Sequence, residues 1–123
     1  MACMDAQAFA QKWIDSWNSH DLDQVLEHYS SDIVVTTPMI RLATGGNVDS
    51  LQGKEAVRSY WKLALEKIPD LHFELIDVAS GVSSIALYYR SIMRKMAIEV
   101  MFFDADEKVN RMYALYTQTA IEL

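Results

Sequence analysis

The sequence predicts an α+β fold, and three observations carry the prediction. Apolar residues at helical spacing fill the first half of the chain, β-branched and alternating runs fill the second, and the gaps between those runs are short. Gaps of that length hold hairpins and are too short for the crossovers of a parallel sheet. Helices first and strands after give a curved antiparallel sheet with three helices on one face.

Between Asp5 and Asn18, Phe9, Trp13 and Trp17 recur at i, i+4 and i+8, which stacks them on one side of a helix. Asn18-Ser19-His20-Asp21 interrupts the pattern. Asp21 is a good N-cap with Gln24 three places on, the signature of a capping box. The second, short helix follows, with Leu22, Val25, Leu26 and Tyr29 on its apolar side. Ile33 to Thr37 is β-branched throughout and reads as a strand that Pro38 ends. Met39 to Gln52, with Gly45-Gly46-Asn47 at its centre, has no sustained period and reads as a long loop. Val57, Tyr60, Trp61, Ala64 and Ile68 then mark the third helix, which runs from Gly53 to Pro69. Four strand-like runs complete the chain: Leu71 to Ala79, Ser83 to Ser91, Lys95 to Phe103 and Val109 to Ile121.

A chain of 123 residues reads as one domain, 1–123, able to bury roughly two thirds of its unfolded surface. Its 51% hydrophobic and 23% charged residues exclude a disordered chain. A net charge of −6 works against nucleic acid as a partner, because phosphate binding needs a concentrated positive surface. No apolar run approaches the ~20 residues of a membrane span, and Met1-Ala-Cys-Met-Asp lacks the basic start of a secretory signal. The single Cys3 is compatible with a reducing compartment, so the cytoplasm is the expected location.

Strand alternation sorts side chains into two faces. Ala97, Glu99 and Met101 share one, and Ile98, Val100 and Phe102 share the other. A connecting loop of even length would bring Ala86, Tyr88 and Arg90 to the Glu99 face and send Ile85, Leu87 and Tyr89 to the opposite one. Helices can cover only one face. The other, carrying Ile98, Val100, Phe102, Leu87 and Tyr89, then calls for a second copy of the chain, a homodimer.

Glu99 is the most informative residue, a carboxylate in Met-Ala-Ile-Glu-Val-Met-Phe-Phe. Burial there is costly unless the group is paired or protonated. One reading is a carboxylic acid with a raised pKa in a pocket, able to donate a hydrogen bond or move a proton. The other is a carboxylate tied to Arg90, an indole N–H or a Tyr hydroxyl. The aromatic residues Trp13, Trp17, Tyr29, Tyr60, Trp61, Tyr88 and Tyr116 either line a pocket for a flat apolar ligand or pack a core. His20, His28 and His72 have no ligand spacing, and the Gly45-Gly46 pair lacks the Gly-Lys-Ser/Thr of a phosphate loop. No metal and no cofactor are expected. Arg90, Arg94, Lys95 and Arg111 read as a solvated sheet edge.

Trp17-Asn18-Ser19-His20-Asp21-Leu22-Asp23, then Tyr29, Asp32, Pro38, Gly53-Lys54-Glu55-Ala56, Pro69-Asp70-Leu71, Tyr89-Arg90 and Phe103-Asp104 through Val109 together resemble the SnoaL-like branch of the nuclear transport factor 2-like superfamily. The resemblance spans nearly the whole chain. It implies a cone, in which a curved antiparallel sheet wraps three helices around a cavity and dimerises through its outer face. The superfamily includes ketosteroid isomerases, polyketide cyclases, epoxide hydrolases and dehydratases, so the fold does not fix the reaction. In the isomerase pattern the catalytic base falls on Thr37, the oxyanion-hole Tyr on Trp13 and the oxyanion-hole acid on Glu99. The neighbouring aromatic network falls on Tyr29 and Trp61, and the last-strand cavity positions on Met112 and Tyr116. The expectation is therefore a protein that binds a small hydrophobic molecule. Trp13, Trp17, Tyr29, Thr37, Trp61, Tyr88, Met101, Met112 and Tyr116 should surround it, with Glu99 as acid or base of an isomerase- or cyclase-type enzyme. The alternative is a non-catalytic binding or dimeric interaction module.

Overall fold

The computed structural model describes residues 5–92 and 95–118; Cys3, Arg94 and Ile121 lie outside them. Helix α1 (Ala6–Ser19) starts at Asp5, whose side chain accepts the Ala8 N–H, and ends at His20, which takes a left-handed φ of 63°. Helix α2 (Leu22–Leu26) is capped by Asp21, which accepts from the Asp23 N–H. Gln24 meets the Asp21 carboxylate directly, Nε2 to Oδ2 at 3.3 Å, in place of the reciprocal bond to the cap's backbone that a capping box requires. Tyr29 belongs to the sheet, as the first residue of strand β1 (Tyr29–Thr36), where the sequence pattern puts it on the second helix.

The stretch from Met39 to Gln52 is not a structureless loop. It holds a fourth helix, α3 (Pro38–Ala43), and a short strand, β2 (Ser50–Gln52). Thr37 caps α3 through its side-chain oxygen, which accepts the Met39 N–H at 3.2 Å, and Pro38 occupies the first turn, where its missing N–H costs nothing. Helix α4 (Lys54–Lys67) follows, then strands β3 (Glu74–Gly81), β4 (Ser84–Arg90), β5 (Met96–Phe103) and β6 (Val109–Tyr116).

The strands form one sheet in the order β2-β1-β6-β5-β4-β3. Neighbours are antiparallel except β1 and β6, which run parallel and are joined through most of the chain, a connection long enough for a parallel pair. Irregularities at Ile76 in β3, between Phe102 and Phe103 in β5, and within β1 bend the sheet. It curves around the helices as an α+β cone, with α1 against β3 and α4 against β1 and β2. No helix among the described residues is long and apolar enough to cross a membrane.

The register between β4 and β5 overturns one expectation. Arg90 pairs with Met96, so five residues connect the strands, an odd number, and Leu87 stands opposite Glu99. Parity is therefore preserved: Ile85, Leu87 and Tyr89 share the inner face with Glu99, while Ala86, Tyr88 and Arg90 face outward. Leu87 and Tyr89 are at most 1% exposed, whereas Tyr88 is 39% exposed.

The segment before β3 is fastened to α1 by side chains. Asn18 donates from Nδ2 to the Phe73 carbonyl at 2.9 Å and accepts the Phe73 N–H at 2.7 Å, and His20 donates from Nε2 to the Leu71 carbonyl at 2.6 Å. The strand pattern read from Leu71 consequently becomes sheet only at Glu74.

Candidate functional site

Between the helices and the inner sheet face lies a cavity of about 440 Å³. Exposure of the lining residues gives it a direction. Trp13, Trp17, Phe73, Tyr89, Glu99 and Met112 are buried and form its closed end, while Leu42, Leu63 and Lys67 are exposed and form its mouth. Helix α1 supplies the two indoles, β4 and β5 supply Tyr89 and Glu99, and α3 and α4 form the lips.

At the closed end the rings meet edge to face. Trp13 lies 5.5 Å from Tyr89 and Trp17 lies 4.9 Å from Trp61, centroid to centroid. The Trp13 indole N–H donates to the Tyr29 hydroxyl at 2.6 Å, both residues being almost fully buried. The Trp17 indole N–H is near the same hydroxyl, yet among the described residues it is buried with no partner in hydrogen-bonding geometry. Burial raises the Tyr29 pKa above the ordinary tyrosine value, against the pull of the Trp13 bond.

Glu99 is 5% exposed. The Tyr89 hydroxyl donates to its Oε1 at 2.7 Å, and Oε2 is buried without a partner among the described residues. Desolvation pushes the Glu99 carboxyl up to about 8, with the Tyr89 bond pulling the other way. Near pH 7 the group is consequently a neutral carboxylic acid. With Oε1 accepting the Tyr89 O–H, a proton carried on Oε2 has no acceptor among the described residues. Arg90 takes no part. It faces outward and pairs with Glu74 across the strands at 3.1 Å. Burial also raises the Tyr89 and Tyr116 pKa values, and a charge on Glu99 would raise both further, so these groups resist sharing a negative charge.

Trp13, Trp17, Thr37, Trp61, Met112, Tyr116 and Glu99 line the cavity. Tyr29 and Met101 lie behind its wall, fully buried, and Tyr88 is on the other side of the sheet because of the odd-length connection. The Thr37 side chain caps α3 and pulls the Tyr116 pKa down against the effect of burial, so it serves the wall's structure as well as its surface. Sequence reasoning placed Tyr89, the hydrogen-bond partner of Glu99, on the opposite face, and missed the α3 residues Met39, Leu42 and Ala43. The Thr37-Pro38 pair, an N-cap followed by a first-turn proline, is the signal for that helix. A second concavity, about 540 Å³, is an open trough on the outer face lined by Thr36, Arg41, Val100, Tyr113 and Leu115 among others. Among the described residues it holds no buried ionisable group.

The profile of the SnoaL-like domain matches residues 10–119. This chain belongs to the SnoaL-like family. A SnoaL-like protein of unknown function from Burkholderia thailandensis is 45% identical, superposes with a TM-score of 0.86, and the match covers 91% of this chain and 94% of that one. More distant solved structures share the fold alone. AclR from Streptomyces galilaeus, a proposed hydroxylase, is 19% identical with a TM-score of 0.69 over 92% of this chain and 89% of its own. A proposed ketosteroid isomerase from Kribbella flavida is 15% identical with a TM-score of 0.66, over 96% and 82%. No curated protein is a significant match.

Proposed function

We propose that this SnoaL-like chain acts as a single domain that takes one small, mainly apolar molecule into its cone cavity and donates the Glu99 proton to an oxygen of that molecule. The observation that carries this reading is Glu99, a residue lining the cavity whose Oε2 is buried without a partner among the described residues while Oε1 is held by Tyr89. An unpaired buried polar atom costs free energy that a ligand acceptor would recover. In an isomerase- or cyclase-type reaction the same proton would move to a carbonyl oxygen as negative charge develops there.

A non-catalytic binding module is favoured by one specific feature. Thr37 occupies the position where a carboxylate base would complete the acid/base pair, and its hydroxyl oxygen is engaged with the Met39 N–H. Two copies of the chain also associate in this proposal, through the outer face, where Tyr88, Ile98, Phe102, Tyr113 and Leu115 leave apolar surface 37% to 49% exposed. The cytoplasm is the proposed location.

A neutral aromatic ketone, 2-acetylnaphthalene, tests the reading through quenching of tryptophan fluorescence. Saturable one-to-one binding at pH 6 that weakens above pH 8, with Glu99→Gln binding at both pH values, is the expected result. Absence of saturable binding, or binding indifferent to pH in the wild type, would contradict it. Deuterium exchange into the bound acetyl group separates the two readings: exchange lost in Glu99→Gln marks an enzyme, and binding without exchange marks a binding module.

A further inference from the structure

Lys67 sits on the last turn of α4, and the residues one turn before it, Leu63 and Ala64, line the cavity too, so its side chain rises from the cavity face of the helix. It is exposed at the mouth, and with Glu99 neutral it is the only charged group lining the cavity among the described residues. It makes no ion pair among them. The positions four residues away in either direction are Leu63 and Leu71, and the salt bridges present are Arg58 with Asp23 and Arg90 with Glu74. The remaining mouth residues, Met39, Leu42, Ala43, Leu63 and Ile68, are apolar.

A cation at the wet end of an apolar cavity, opposite a neutral proton donor at the dry end, selects for a molecule with opposite requirements at its two ends. We propose that the cavity ligand is a monoanionic amphiphile, with its ionised group at Lys67, its apolar body along the aromatic wall and any oxygen acceptor at Glu99. This inference rests on the cavity being a ligand site. The anion stays at the mouth because it keeps most of its hydration there, whereas at the closed end no cation would compensate its burial. The chain's net charge of −6 makes Lys67 a local attraction within a generally repulsive field, so it sets orientation and class of ligand more than affinity.

Two fluorescent probes that differ by one anionic group test this with the full chain: 1-anilinonaphthalene-8-sulfonate and its neutral counterpart N-phenyl-1-naphthylamine. Lys67→Gln should weaken the sulfonate about twofold to fivefold, the size of an exposed ion pair, and leave the neutral probe unchanged, with Lys67→Arg restoring the sulfonate. The same loss should appear in wild type on raising the salt concentration. Equal effects of Lys67→Gln on both probes, or no effect on either, would overturn the inference while leaving the cavity reading intact. An Ala64→Trp variant, folded by circular dichroism, fills the cavity from α4 and should abolish binding of both probes. Binding that survives it would overturn the cavity reading itself.

Discussion

Tyr89 reaches Glu99 along the diagonal of the sheet. Leu87 stands directly opposite Glu99, Tyr89 opposite Ala97, and the Tyr89 hydroxyl returns across that diagonal to donate to Glu99 Oε1 at 2.7 Å. The bond occupies one carboxyl oxygen and leaves the other without a partner among the described residues. It depends on the five-residue connection between β4 and β5, since one residue more or fewer would turn Tyr89 outward.

Glu99 makes stability fall with pH. Its folded pKa, about 8, stands above the ordinary 4.5, so between those values the folded chain holds a proton that the unfolded chain has released. The contribution is complete below pH 4.5 and is lost as pH rises through 8. Glu99→Gln, which cannot ionise, should match wild type within about 1 kcal/mol at pH 5 and exceed it by a few kcal/mol at pH 9. Urea denaturation at the two pH values measures this, and equal pH dependence in both proteins would contradict it.

Asn18 mimics a strand by giving Phe73 both a donor and an acceptor. Asn18→Ala leaves both Phe73 backbone groups unpaired beside a partly buried helix end and should cost about 2 kcal/mol, read from the urea midpoint. A loss under about 0.5 kcal/mol, the range of an ordinary surface change, would mean that water replaces both bonds.

The outer-face association predicts a dimer in sedimentation at micromolar concentration and a folded monomer for Ile98→Glu. Ile98 pairs with Tyr88 on one side and Leu115 on the other, at the middle of the exposed apolar strip, so a charge there is desolvated in the dimer. A wild-type monomer would contradict the association.

The elements that bury a regular stripe were legible in the sequence. The spacing of Phe9, Trp13 and Trp17 gave α1, and the β-branched run Ile33 to Thr37 gave most of β1. Helix α3 was not, because six residues carry too little periodicity and Pro38 reads equally as the end of a strand or the first turn of a helix. The faces of β5 followed from alternation alone. Those of β4 did not, because its parity depends on the length of a connection whose ends, Arg90 and Met96, carry no sharp turn signal. Glu99 stood out as a charge among apolar residues, whereas its partner, one of two adjacent tyrosines, could be chosen only once the register was known.

A carbon-detected NMR titration of the Glu99 side-chain carboxyl measures directly whether it is a neutral acid at physiological pH. The predicted midpoint is near 8 in the wild type, moving higher in Tyr89→Phe, where the bond that lowers it is gone. A wild-type midpoint at or below the ordinary 4.5 would contradict the account and make Glu99 a buried structural anion.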